Sequence, residues 1–270
     1  MEAKGGEALP IMLHAIEAIR SQEYTIITHC LEKLTNIIED LGPLLERMYE
    51  RCDSTVFYHR IRPFLSGSKN MAAAGLPRGV FFDEGEGHGI WTQLRGGSNG
   101  QSSLIQFFDV ILGVEHDSGS DGNGRGLKQR VKGDGRASQA PGFHQEVRNY
   151  MPAPHRWFLE YVTRKGNIRD FVLTSGHSDA EVAMQVAYQA AVNALVGLRT
   201  RHIGIVSRYI IIPSRKPLET SIINLASASS RSSLKEEDRL TGTGGTALIP
   251  FLKKARDDTY SAARRDVAHT

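Results

Sequence analysis

From Ser178 to Pro213 the chain runs without a break in a helical pattern, and at 1.5 Å per residue such a rod is about 50 Å long. Ser178-Asp179-Ala180-Glu181 has the spacing of a capping box, which sets the start, and Pro213 marks the end of the uninterrupted pattern. Within the run Tyr188, Ala191, Leu195, Leu198, His202, Val206 and Tyr209 follow one another by three or four residues. They form one apolar seam that other elements must cover, so a central pillar with helices packed around it is the expected architecture.

The same periodicity recurs elsewhere. Residues from Leu9 to about Glu50 read as helix, with Ile11, Ala15, Ile19, Ile26, Cys30, Leu34, Ile37, Ile38, Leu41 and Leu45 in register and Gly42-Pro43 as a kink. Asp53 or Ser54 caps a following segment that Pro63 interrupts and Gly67 stops. A helix with Leu104, Phe107, Phe108 and Ile111 on its face follows, then shorter ones over His144–Tyr150, Pro154–Thr163 and Ile168–Leu173, and a last amphipathic helix after "GTGGTA". Residues 67–99 read as a long loop, 116–142 as a flexible insertion and 214–245 as a mobile loop. No stretch alternates with a period of two and no repeat occurs, so the expected fold class is all-α, in a single domain over residues 1–270.

Composition narrows the partners. With 33 basic and 30 acidic residues the net charge is +3, which gives no field for nucleic acid. Apolar stretches such as Tyr209–Ile212 fall far short of the roughly 20 residues a bilayer span requires, and the first ten residues lack a signal-peptide core, so no membrane partner is expected and the cytoplasm is the default location. Cys30 and Cys52 are too few for a disulfide framework and read as inert thiols in a reducing compartment.

Most motifs that suggest ligand chemistry fail on context. "GGSNGQSS" lacks the lysine and spacing of a phosphate-binding loop, and "GTGGTA" is preceded by polar loop rather than a strand. "DSGSDGNG" has Lys128 where a calcium loop closes with glutamate, and the ten histidines show no zinc spacing. His202 differs, because it lies on the buried seam. Its imidazole is either a neutral core group bonded to a carbonyl or carboxylate, or an axial ligand to haem iron. Arg199, one turn earlier on nearly the same side, is placed to meet a haem propionate.

Five segments, in order, resemble landmarks of the indoleamine 2,3-dioxygenase family: "FYHRIRPFLSG", "RGGSNGQSSLIQFFDVILG", "YMPAPHRWFL", "LVGLRTRHIGIVSRYIIIP" and "GTGGTALIPFLKK". The resemblance implies a large helical domain holding haem b, with His202 as the proximal iron ligand. It implies that both atoms of O2 are inserted across the indole C2–C3 bond of L-tryptophan to give N-formylkynurenine, the first step of kynurenine and NAD biosynthesis. By position, Arg62 matches the arginine that pairs with the substrate carboxylate, and Phe57 and Tyr58 match an aromatic pair that packs on the indole. Mammalian members have Phe in place of Tyr58. Gly97 and Ser98 match the loop lining the distal haem face, where Asn99 replaces an alanine of mammalian members. Asp109 and Arg199 match a polar pair near the propionates, and Thr243 matches a hydroxyl on a loop that closes over substrate. A monomer is expected.

"MEAKGGEALPIML" resembles the end of one helix and the start of the next in the family's large domain. The chain is therefore expected to begin inside that domain, without the small N-terminal domain, and to bind haem weakly and tryptophan more weakly. Two other readings stand beside the dioxygenase: a non-catalytic haem protein that binds dioxygen, and a pseudoenzyme without haem.

Overall fold

A computed structural model of the chain describes residues 1–69, 71–72, 75–116, 142–215, 240 and 242–264. Most of the insertion expected at 116–142 and of the mobile loop expected at 214–245 lies outside the described residues. Seven helices of seven residues or more carry the described fold: α1 (Ala8–Arg20), α2 (Tyr24–Glu46), α3 (Ser103–Leu112), α4 (Ala153–Lys165), α5 (Ile168–Thr174), α6 (Asp179–Val206) and α7 (Leu248–Ala262). The all-α class holds, with one exception described below.

α6 is the pillar. The Ser178 hydroxyl accepts the Glu181 amide and the Glu181 carboxylate accepts the Ser178 amide, the reciprocal cap that the sequence spacing predicts. α2 and α7 pack along it, α1 packs on α2, and α3 packs on α4. Ala191, Leu195 and Leu198 join Leu31, Leu34 and Ile38 of α2 and Phe107 and Phe108 of α3 in one buried cluster. The seam is buried at Val206 and Tyr209 as well, but at His202 it opens to partial exposure.

One buried hydroxyl joins three helices. Tyr188 Oη of α6 lies 2.7 Å from the carbonyl of Leu112 and 3.1 Å from that of Ala262, at the C-terminal ends of α3 and α7. Helix ends leave carbonyls without partners, and this phenol serves two of them.

Three departures from the sequence reading have physical reasons. The helix expected from Leu9 to Glu50 breaks at Ser21–Glu23, where Gln22 takes a φ of 55°, so α1 folds back on α2. α2 runs through Pro43, where the reading has a kink, but ends at Glu46 instead of near Glu50, because Pro43 has no amide to donate and weakens the last turns, and a separate turn follows over Met48–Arg51. After Val206 the pillar widens into a π turn over Ser207–Ile211, for which apolar spacing has no signature.

The fourth departure corrects the long loop at 67–99, and with it the expected absence of strands. β1 (Val80–Gly85) and β2 (His88–Thr92) pair antiparallel, with Phe81 opposite Trp91 and Phe82 opposite Ile90. Glu86 and Gly87 turn the chain with φ of 52° and 78°, the positive-φ geometry of a tight hairpin. Both faces of the ribbon meet solvent, Phe82 at 48% and Trp91 at 47% exposure, so burial imposed no alternation for a period-two search to find. Among the described residues no helix is long and apolar enough to cross a membrane.

Replacing Tyr188 by Phe keeps the packing and removes the hydroxyl from both carbonyls. The expected loss is about 1–3 kcal/mol of unfolding free energy, read from the urea midpoint. An unchanged midpoint would show that this hydroxyl does not hold the helix ends.

Candidate active site

The residues from Asp53 to Leu65 form one compact element. Asp53 caps it by accepting the amides of Thr55 and Val56, both at 2.9 Å. A π turn over Phe57–Ile61 follows, and Pro63 falls in a 3₁₀ turn over Arg62–Leu65 instead of continuing an α-helix. Phe57, Tyr58 and Arg62 therefore share consecutive turns. Arg62 is 1% exposed, with its guanidinium carbon 5.6 Å from the centre of the Tyr58 ring, and burial lowers its pKa. Phe57 meets the ring of Tyr209 edge-on at 5.6 Å. Tyr209 also stacks on Tyr49, and its hydroxyl lies 3.0 and 2.8 Å from the carbonyls of Met48 and Cys52. The π turn at the end of the pillar is thus seated against the π turn that carries the aromatic pair.

The glycine loop crosses this element at close range. A Cβ on Gly67 would lie 2.2 Å from the Gly96 nitrogen, and a Cβ on Gly96 would lie 2.2 Å from the Leu65 carbonyl oxygen, so glycine is needed at both. The Gly97 amide donates to the Leu65 carbonyl at 3.0 Å, joining the loop to the turn of Arg62. Ser98 caps a short 3₁₀ turn, Asn99–Gln101, accepting the Gly100 amide at 3.2 Å. Thr243 arrives from the opposite end of the sequence. Its hydroxyl donates to the Gly97 carbonyl, and its own carbonyl accepts the Gly96 amide at 3.2 Å. Gly97 itself has open space where a Cβ would be.

Asp109 of α3 and Arg199 of α6 form an ion pair at 2.6 Å. The other arm of Arg199 donates to the Ala255 carbonyl and the Thr259 hydroxyl of α7, at 2.6 and 2.7 Å. His116 bridges Asp109 and Asp258, its two ring nitrogens 3.1 and 3.2 Å from their carboxylates. Burial would raise the pKa of Asp109, but Arg199 and His116 outweigh it and hold it at about 2. The ring of His144 stacks on that of His116, and burial with the charge of His116 lowers its pKa to about 3. A cavity of about 250 Å³ borders this cluster, between Asp109, His144, Phe251 and Lys254.

His202 lies one turn beyond Arg199. Among the described residues its imidazole makes no hydrogen bond, ion pair or ring contact, so the reading as a core group held by a carbonyl or carboxylate finds no partner. Burial lowers its pKa, and the Arg199 charge lowers it further, which keeps the ring neutral near pH 7. A neutral, half-buried imidazole with a free lone pair is the donor type that haem iron takes. Among the described residues no three His, Cys, Asp or Glu side chains gather as a metal group. The donor chemistry of His202, an imidazole that shares its nitrogens with no described residue, fits an iron ligand of haem.

The family model of indoleamine 2,3-dioxygenase matches residues 1–262. The chain belongs to the indoleamine 2,3-dioxygenase family. It is 40% identical over 264 residues to the indoleamine 2,3-dioxygenase nanC of Aspergillus nanangensis, covering 97% of this chain and 57% of that protein. It is 36% identical to the 6-hydroxytryptophan 2,3-dioxygenase fscD of Fusarium equiseti, over 97% of this chain and 58% of the relative. The indoleamine 2,3-dioxygenase of Saccharomyces cerevisiae is also 36% identical, over 97% of this chain and 56% of its own length. The chain spans a little over half the length of these relatives.

Within this family member the structure brings most residues named from the sequence into three groups. Phe57, Tyr58 and Arg62 form one, Gly97, Ser98 and Thr243 a second joined to it through Leu65, and Asp109 with Arg199 a third. Among the described residues His202 makes no hydrogen bond, ion pair or ring contact with these groups, and it feels the third through the charge of Arg199. Three residues carrying the site's architecture had no role in the sequence reading, Arg95, Gln106 and His116, and Tyr209 was read only as part of the seam. Gln106 is buried, donates to the carbonyls of Gly100 and His144, and accepts from Arg148. A polar residue on the apolar face of α3 was the available signal for it.

Because the Asp109 pKa of about 2 lies below the unfolded value of about 3.9, its contribution to stability is complete above about pH 4 and is lost as pH falls toward 2. Asp109→Asn leaves Arg199 buried without its counter-charge. The expected cost at pH 7 is about 3–5 kcal/mol, with loss of the acid-side slope between about pH 4 and 2, read by urea unfolding across pH. A variant as stable as the parent would contradict the role assigned to the pair.

Proposed function

We propose that this chain carries the haem- and substrate-binding machinery of a dioxygenase that acts on tryptophan or a close indole amino acid. The reading rests on family membership together with one observation: an imidazole without a protein partner on the pillar, in a fold that also buries an arginine beside an aromatic pair. His202 would hold haem b through its iron. Bound haem supplies the metal chemistry that activates O2 for insertion across the indole C2–C3 bond, giving an N-formylkynurenine-type product.

The protein's own residues bind, orient and exclude water. Arg62 receives the substrate carboxylate; its burial strengthens that pairing, because the charge has little water to compete for it. Phe57 and Tyr58 hold the indole ring against the π turn. The contact between Thr243 and Gly97 closes the loop over this region, and removing water fixes the substrate in one orientation. One relative is named as a 6-hydroxytryptophan 2,3-dioxygenase, which supports testing ring-substituted tryptophans beside tryptophan.

The test is optical. Haem-loaded protein titrated with L-tryptophan shows a change in its absorption spectrum, and Arg62→Ala raises the apparent Kd roughly 100-fold. Tryptamine, which lacks the carboxylate, binds weakly to both proteins and does not distinguish them. A spectrum unmoved by tryptophan or 6-hydroxytryptophan would favour the non-catalytic haem protein, and failure to retain haem would favour the pseudoenzyme.

A further inference from the structure

Arg95 stands at the head of the glycine motif, and its side chain is 2% exposed. One arm of its guanidinium donates to the Glu146 carboxylate at 2.6 Å, and the other donates to the Gly244 carbonyl at 2.6 Å. The guanidinium lies over the Phe143 ring, 4.9 Å from its centre, while the Arg95 backbone amide donates to the Tyr150 hydroxyl at 3.1 Å. Glu146 is held from its other side by Lys69. Burial would raise the Glu146 pKa, but these two cations hold it below the usual carboxylate range.

The consequence lies in what the second arm grips. Gly244 follows Thr243, and a Cβ on Gly244 would press on Phe143 at 3.3 Å and on Ser98 at 3.4 Å, so the loop is seated tightly against the glycine motif. The loop's own bonds, Gly242 amide to Thr246 carbonyl and Gly245 amide to Gly242 carbonyl at 2.8 Å each, shape it but do not anchor it to the helices. Arg95 provides that anchor with a fixed charge whose counter-ion sits on the segment Phe143–Val147.

We infer that Arg95, held by Glu146, is a positioning residue that latches the Gly242–Thr246 loop and thereby sets Thr243 against Gly97. The inference rests on the reading of this site as one that takes an indole amino acid, and adds to it the device that holds the loop closed. Lysine cannot replace this arginine, because a single ammonium lacks the fork that reaches a carboxylate and a carbonyl together.

Hydrogen exchange and ligand binding test it separately. In Arg95→Met, exchange at the amides of Gly96, Gly242 and Gly245 rises about ten-fold or more, while that of amides in α2 and α6 stays as in the parent. In the haem-loaded protein the apparent Kd for tryptophan rises about ten-fold with the haem spectrum itself unchanged. Arg95→Lys does not restore either quantity. If Arg95→Met does not fold, Glu146→Gln keeps the shape and removes the counter-charge, and its loop exchange rises about three-fold. Unchanged exchange at the three loop amides, or an equal rise throughout the chain, overturns the inference. A parent spectrum that tryptophan does not move removes the proposed function instead, and the exchange comparison still decides whether the latch exists.

Discussion

The guanidinium of Arg199 is where the architecture converges. It stands on the pillar, pairs with Asp109 of α3 and donates to a carbonyl and a hydroxyl of α7, so one planar cation joins three helices. An apolar contact at that point would hold the helices together without fixing their rotation. The fork of an arginine fixes both distance and angle, and a buried pair that loses one member is left with an uncompensated charge. Because His202 is one turn away on the same helix, the contacts that fix the rotation of the pillar at Arg199 also fix the direction in which the Cα–Cβ bond of His202 leaves it. The sequence reading placed Arg199 for a propionate; the structure gives it protein partners on both arms.

The surface around Arg62 is assembled differently, by backbone at close range. Gly67 and Gly96 cross where no side chain fits, the Gly97 amide is tied to Leu65, and the carbonyl and hydroxyl of Thr243 are tied to Gly96 and Gly97. These contacts bring segments near residues 62, 97 and 243 into one surface. Tyr209 then seats that surface on the end of the pillar. The pillar that bears His202 and the turns that bear Arg62 are joined through that aromatic contact.

What was legible in the sequence was local. The reciprocal cap of Ser178 and Glu181 and the Asp53 cap are patterns within a few residues, and each is present as read, while the seam from Tyr188 to Tyr209 is buried except at His202. The hairpin was missed because its exposed faces leave no alternation, and the turn at Gln22 because the apolar spacing resumes after it in compatible register. The resemblance named Asp109 and Arg199 as a polar pair, which the structure contains, and named Gly97 and Thr243 separately, which the structure bonds to each other. Arg95 escaped because its partners lie 51 and 149 residues away, a separation that no local pattern encodes.

The central claim is that the unshared imidazole on the pillar is an iron ligand. Resonance Raman spectroscopy of the ferrous, haem-loaded chain measures this directly through the iron–imidazole stretching band. The account predicts a band that disappears in His202→Gly and returns when free imidazole is added to that variant. A band that persists in His202→Gly without added imidazole would contradict it.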